Sequence, residues 1–94
     1  MATLSADDLR TALDTLANWH GDAGAISCTY RFESFSQAIG FMVRAAMVAE
    51  KADHHPEWTN VYDRVEVRLT THDAGGVTMK DVALARAMDT IAGA

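Results

Sequence analysis

The spacing of apolar positions switches between a helical and a strand period along the chain, and the switches divide it into elements. Leu9, Ala12, Leu13 and Leu16 recur every three or four residues. Ser5 followed by Asp8 resembles a capping box with Asp in place of Glu or Gln, so the spacing predicts a helix over about 6–17. Trp19 to Gly24 carries glycines at turn spacing and reads as a short strand or loop that turns back. From Ala25 to Phe32 the period becomes two: Ile26, Cys28, Tyr30 and Phe32 fall on one face, and Ser27, Thr29 and Arg31 on the other. Ser34 and Gln37 stand at capping-box spacing before a long helical pattern. Phe35, Ile39, Met42, Ala46 and Ala49 are expected to form its buried stripe, widened by Phe41 and Val48. Pro56 cannot continue that helix and biases His55 toward an extended backbone, so the helix is expected to end near Ala52 or Asp53.

Glu57–Val61 and Val65–Thr71 read as strands around a tight turn at Tyr62-Asp63-Arg64, with Val65, Val67 and Leu69 alternating with Glu66, Arg68 and Thr70. His72 to Gly76 is a loop. Thr78 then caps a last helix with Asp81 at the third position and Val82, Ala85, Met88 and Ala92 on one stripe. The order helix, strands, helix, strands, helix predicts an α+β fold: one antiparallel sheet of about four strands with three helices on one face.

Length changes this picture only by limiting it to a single domain over residues 1–94. Half the residues are apolar, enough for a packed core, yet a chain this short leaves apolar surface uncovered, so a homodimer or homotetramer is expected. The net charge of −5, with both signs mixed along the chain, argues against a phosphate-binding nucleic-acid module. The single cysteine, Cys28, excludes an intramolecular disulfide and reads as a small buried hydrophobe in a reducing compartment. The stretch Met1 to Ser5 lacks a basic segment followed by an apolar run, and no apolar stretch reaches bilayer-spanning length. A cytoplasmic protein without membrane or direct nucleic-acid partners is the expectation.

Chemistry concentrates between positions 50 and 81. Three of the four histidines lie between His54 and His72. Glu50 and His54 are four apart at a helix end and so share a face, whereas His55 lies where the chain leaves the helix. His72 opens a glycine loop. If the strand hairpin folds back beside the helix end, the three imidazoles meet in one concave place. Each residue also has a plain structural use: a histidine against a helix C-terminal dipole, Glu50–His54 as a surface pair, Asp81 as a cap, Trp58 as packing. Periodicity and spacing give only a cluster of titratable groups, suited to catalysis or to metal binding. Against a metal, Glu50 to His54 lacks the leading histidine of the His-Glu-x-x-His zinc motif, and adjacent histidines seldom ligate one ion together.

The run Glu50-Lys51-Ala52-Asp53-His54-His55-Pro56-Glu57-Trp58-Thr59-Asn60-Val61-Tyr62, followed by Val65 to Thr78 with His72 inside it and then by Asp81, resembles the signature of the pterin-4a-carbinolamine dehydratases. That signature has an acidic residue, three spacers, His-His-Pro, a later aromatic, a further histidine and an Asp. Glu50, His54, His55, Pro56, Tyr62, His72 and Asp81 stand at its positions without departure. The resemblance covers about a third of the chain, and the N-terminal third adds little to it.

The resemblance implies a hydro-lyase acting on 4a-hydroxytetrahydropterin, the hydroxylated pterin left by an aromatic amino acid hydroxylase. Its product is a quinonoid dihydropterin that a reductase returns to tetrahydropterin. His54 and His72 would be the acid–base pair, and His55 would hold the pterin and support catalysis. Glu50 would orient His54, Asp81 would do the same for His72, and Trp58 would form a wall for the flat ring. No metal and no cofactor is implied, since the pterin is the substrate. Animal relatives also serve as dimerisation partners of a homeodomain transcription factor, a role these residues do not support. The competing readings are such an interaction module and a metal-binding domain using His54, His55 and His72.

Overall fold

The computed structural model describes residues 2–94; Met1, part of the N-terminal stretch read above, lies outside the described residues. The elements are α1 (Ala6–Asp14), β1 (His20–Gly21), β2 (Ile26–Arg31), α2 (Phe35–Ala52), β3 (Glu57–Val61), β4 (Arg64–Leu69) and α3 (Met79–Ala92), with a short 3₁₀ turn at His72–Ala74. The four strands form one antiparallel sheet in the order β1-β2-β4-β3. Ile26, Cys28 and Tyr30 of β2 and Val65, Val67 and Leu69 of β4 are buried on one face, against Leu9 and Ala12 of α1, Phe41 of α2 and Met88 of α3. Thr29, Glu66 and Arg68 point to the opposite, open face. The helices thus cover one side of an antiparallel sheet, as the period of two in β2 and β4 requires.

Several boundaries differ from the sequence reading, and β2 is one residue shorter at each end than the Ala25 to Phe32 alternation. Helix α1 stops at Asp14 rather than near 17, because the chain tightens: Thr15 N–H bonds the Ala12 carbonyl at 3.1 Å and Leu16 N–H bonds that of Leu13 at 3.0 Å. Leu16 stays buried without being helical. Strand β4 begins at Arg64 and ends at Leu69, and Thr71 makes only an isolated bridge to Gly76. The β3–β4 turn shrinks to Tyr62-Asp63, with the Asn60 side-chain amide donating to the carbonyls of Tyr62 at 3.1 Å and Arg64 at 2.9 Å. Gly76 is fixed by sterics, since a Cβ there would stand 2.5 Å from the Ala23 carbonyl oxygen.

The larger correction concerns α2. Its buried line is Ala38, Phe41, Ala45 and Ala49, while Phe35, Ile39, Val43, Met47 and Val48 are exposed and Ala46 is exposed with them. The helix is apolar around most of its circumference, so the period alone does not select a face. The alanines select it, because small side chains let the helix axis approach the sheet closely. Met47 is 67% exposed, and an apolar stripe runs unpartnered along the outer side of the helix.

β2 is also tied to α3 by a part-buried polar anchor. Asp89 accepts from Trp19 Nε1 at 3.0 Å and from the Tyr30 hydroxyl. Burial pushes the Tyr30 phenol well above its ordinary range, helped by its bond to Asp89. The neighbouring Cys28 thiol is raised from 9.0 to about 11, chiefly by burial.

Candidate active site

The site is built where α2 ends. Asp53 caps the helix in the left-handed region (φ 50°, ψ 44°), and the His54 N–H reaches back to the Ala49 carbonyl at 3.1 Å. That reversal breaks the helical line from Glu50 to His54. His54 is turned inward toward the start of α3, and its Nε2 lies 2.5 Å from Asp81 Oδ1. His55, extended before Pro56, is turned outward, and its Nε2 lies 2.7 Å from Glu50 Oε1. The carboxylate partners are therefore exchanged relative to the sequence expectation: Asp81 serves His54 rather than His72, and Glu50 serves His55 rather than His54.

The two dyads differ in environment. Asp81 is fully buried and the His54 side chain only 11% exposed, whereas Glu50 and His55 are both largely in solvent. Asp81 also completes the capping box of α3 with Thr78, its Oδ2 accepting from the Thr78 N–H at 2.9 Å and from the Thr71 hydroxyl at 2.8 Å. One carboxylate thus caps a helix and holds an imidazole. The exposed pair is screened by water and holds its imidazole more loosely.

Two adjoining depressions flank His55. One, of about 260 Å³, is lined by Asp53, His54, His55, Thr70, His72 and Lys80, among others. The other, of about 810 Å³ and mainly apolar, is lined by Val43, Met47, Glu50, His55, Pro56 and Trp58, among others. The three predicted imidazoles do meet, at the shallow cleft. Glu50 and Trp58 lie in the neighbouring groove, and Asp81 lies beneath the surface as support, so the six predicted residues do not line a single pocket. His20 stands apart, over the open face of the sheet beside Glu57, Glu66 and Arg68.

Asp53, Thr70, Thr71, Asp73 and Lys80 are the cleft residues that the sequence reading does not single out. Asp53 reads as a turn residue. Thr71 reads as the end of a strand. Lys80 carries a signal only in hindsight of the capping box, which brings the first turn of α3 beside His54. Among the described residues no group of three or more His, Cys, Asp or Glu is arranged to hold a metal ion.

Fold and site together define a small α+β protein with a histidine–carboxylate cluster at the C-terminal end of its central helix. A family model described as pterin 4 alpha carbinolamine dehydratase matches residues 2–91. The chain belongs to that family. It is 59% identical over 93 residues to a provisionally named pterin-4-alpha-carbinolamine dehydratase of Bradyrhizobium sp. (strain ORS 278), covering 97% of this chain and 93% of the relative. A relative with the same provisional name from Rhodopseudomonas palustris (strain BisB18) is 56% identical over 91 residues, covering 95% and 90%. A crystal structure described as a transcriptional coactivator/pterin dehydratase from Brucella melitensis superimposes with a TM-score of 0.94 at 46% identity, covering 97% of this chain and 99% of that one. A pterin dehydratase-like protein described as a RuBisCO assembly factor in the alpha-carboxysome shares the fold at TM-score 0.68 and 21% identity, over 81% of this chain and 88% of that one.

Proposed function

We propose that this chain is a hydro-lyase that removes water from a 4a-hydroxytetrahydropterin by proton transfer through His54 and His72. The observation that carries the reading is the convergence of His54, His55 and His72 on one cleft, in a chain of this family. In the reaction the C4a–O bond breaks, the leaving hydroxyl takes a proton and departs as water, and a ring nitrogen gives up its proton. The nitrogen electrons close the new C=N bond of the quinonoid dihydropterin. Nothing is oxidised or reduced, so the chemistry calls for an acid and a base and for no metal or organic cofactor. Imidazole suits both roles near neutral pH, and positioned proton transfer is worth roughly 10²- to 10⁴-fold.

His54 is the more rigid of the two, clamped by a buried carboxylate, while His72 heads the exposed 3₁₀ turn. His55, held by Glu50, sits between cleft and groove and holds the pterin, with Trp58 as an apolar wall. The groove volume of about 810 Å³ lies within the range usual for small-molecule sites. In a cell the activity would recycle pterin beside an aromatic amino acid hydroxylase. The uncovered apolar side of α2 favours a homodimer or homotetramer. The direct test is conversion of 4a-hydroxytetrahydropterin by the purified protein. Water loss no faster than in buffer would sink the proposal, and stoichiometric bound metal in the same preparation would favour a metal-binding domain instead.

A further inference from the structure

The Asp81 carboxylate has its two oxygens assigned to different tasks. Oδ2 accepts from the Thr78 N–H at 2.9 Å and from Thr71 Oγ1 at 2.8 Å, leaving Oδ1 for His54 Nε2. Thr71 Oγ1 also lies 2.8 Å from Thr78 Oγ1, which in turn accepts from the Lys80 N–H at 3.2 Å. A hydroxyl has one proton to give. If Thr71 gives its proton to Asp81, Thr78 gives its own to Thr71, and the two hydroxyls form a directed chain ending on the carboxylate. Thr71, Thr78 and Asp81 are all buried, so water does not supply substitutes for these bonds at little cost. A carboxylate oxygen accepts only, so His54 Nε2 carries the proton in this arrangement. Among the described residues nothing bonds His54 Nδ1, which is left as the ring nitrogen open to a substrate.

We propose that Thr71 is a positioning residue of the site: its hydroxyl, backed by Thr78, locks the Asp81 carboxylate in the orientation that fixes His54 as the Nε2–H tautomer with Nδ1 free to exchange a proton. Thr71 borders the cleft, but its hydroxyl is committed to Thr78 and Asp81, so in this proposal it acts through Asp81. The inference rests on the dehydratase reading only for its effect on turnover, not for its effect on the ring.

The test compares Thr71→Val, which keeps the shape and removes the hydroxyl, with Thr71→Ser, which keeps the hydroxyl. Two-bond ¹H–¹⁵N correlation spectra of the His54 ring above neutral pH report the tautomer, and 4a-hydroxytetrahydropterin reports turnover. The unsubstituted protein should show the Nε2–H form alone. Thr71→Val should show a mixture of tautomers and a kcat lowered on the order of tenfold with KM little changed, and Thr71→Ser should restore both. A folded Thr71→Val protein with an unaltered His54 ring overturns the proposal. So does an Nδ1–H ring in the unsubstituted protein, a result that does not depend on any variant folding. A tautomer shift without loss of turnover supports the positioning role of Thr71 and removes His54 from the catalytic reading instead.

Discussion

Asp81→Ala removes the most connected side chain of the cleft, and its cost follows from the bonds it makes. The carboxylate is fully buried and accepts from His54, Thr71 and the Thr78 N–H. Losing the bond to the His54 imidazole costs about 1 kcal/mol, and gaining Ala inside a helix returns a few tenths. The Thr78 N–H, buried without its acceptor, costs about 1–3 kcal/mol more. Thr71 can turn its hydroxyl onto Thr78, and His54, with some exposure, can find water, so neither adds its full penalty. The sum is about 2–4 kcal/mol, which in a domain of this size lowers Tm by roughly 10–25 °C. The assay is urea unfolding followed by circular dichroism at one fixed protein concentration, because self-association would add its own stabilisation. Asp7→Ala is the control: its carboxylate pairs with Arg10 at 3.2 Å in full solvent, and its loss should leave the urea midpoint almost unmoved. An Asp81→Ala protein within about 1 kcal/mol of the parent would refute the reasoning, since it would mean that these buried bonds carry little of the fold.

His54→Ala and His72→Ala should each lower dehydratase turnover by roughly 10- to 10³-fold, with the double variant falling short of the product of the two. Folded variants with undiminished steady-state rates would remove the assignment. Burial raises the Cys28 thiol to about 11, so above pH 9 the unfolded chain loses this proton before the folded one does. Stability from Cys28 is therefore complete below pH 9 and falls as pH rises toward 11; the urea midpoint should drop across that window by less in Cys28→Ala than in the parent. Met47→Glu places a charge on the uncovered side of α2 and should yield a smaller species than the parent in light scattering, with unchanged helix content. Identical masses would place the contact elsewhere.

The strands and the one-sided sheet were legible because β2 and β4 have one wet face, and a period of two marks such strands clearly; the order of the strands in the sheet was not. The faces of α2 were not, because apolar residues surround that helix and only the sizes of Ala38, Ala45 and Ala49 decide which side packs. The membership of the histidine cluster was legible, His54, His55 and His72 all reaching one cleft. Its pairing was not, and the reason is a single residue. Spacing of four assumes that the helix continues, but Asp53 takes a left-handed conformation and rotates His54 away from Glu50. Asp81 is legible as a cap, but the sequence reading pairs it with His72 across a short loop, since nothing in a local motif reports an imidazole arriving from 27 positions upstream.

The Tyr62-Asp63 turn has a kinetic consequence. It joins β3 to β4 by two residues, so this hairpin forms from neighbours in the chain, on a scale of about 1–10 μs for such units. Pairing β2 with β4 instead closes a loop containing the whole of α2, an entropic toll that local pairing avoids. His54 and His55 precede the hairpin and His72 follows it, so one local event carries all three imidazoles to the same end of the nascent sheet. Only the carboxylate of α3 must wait for the globule to close. Substitutions that weaken the Tyr62-Asp63 turn should then act mainly on the rate of folding, whereas those at the Asp81 contact should act mainly on the rate of unfolding.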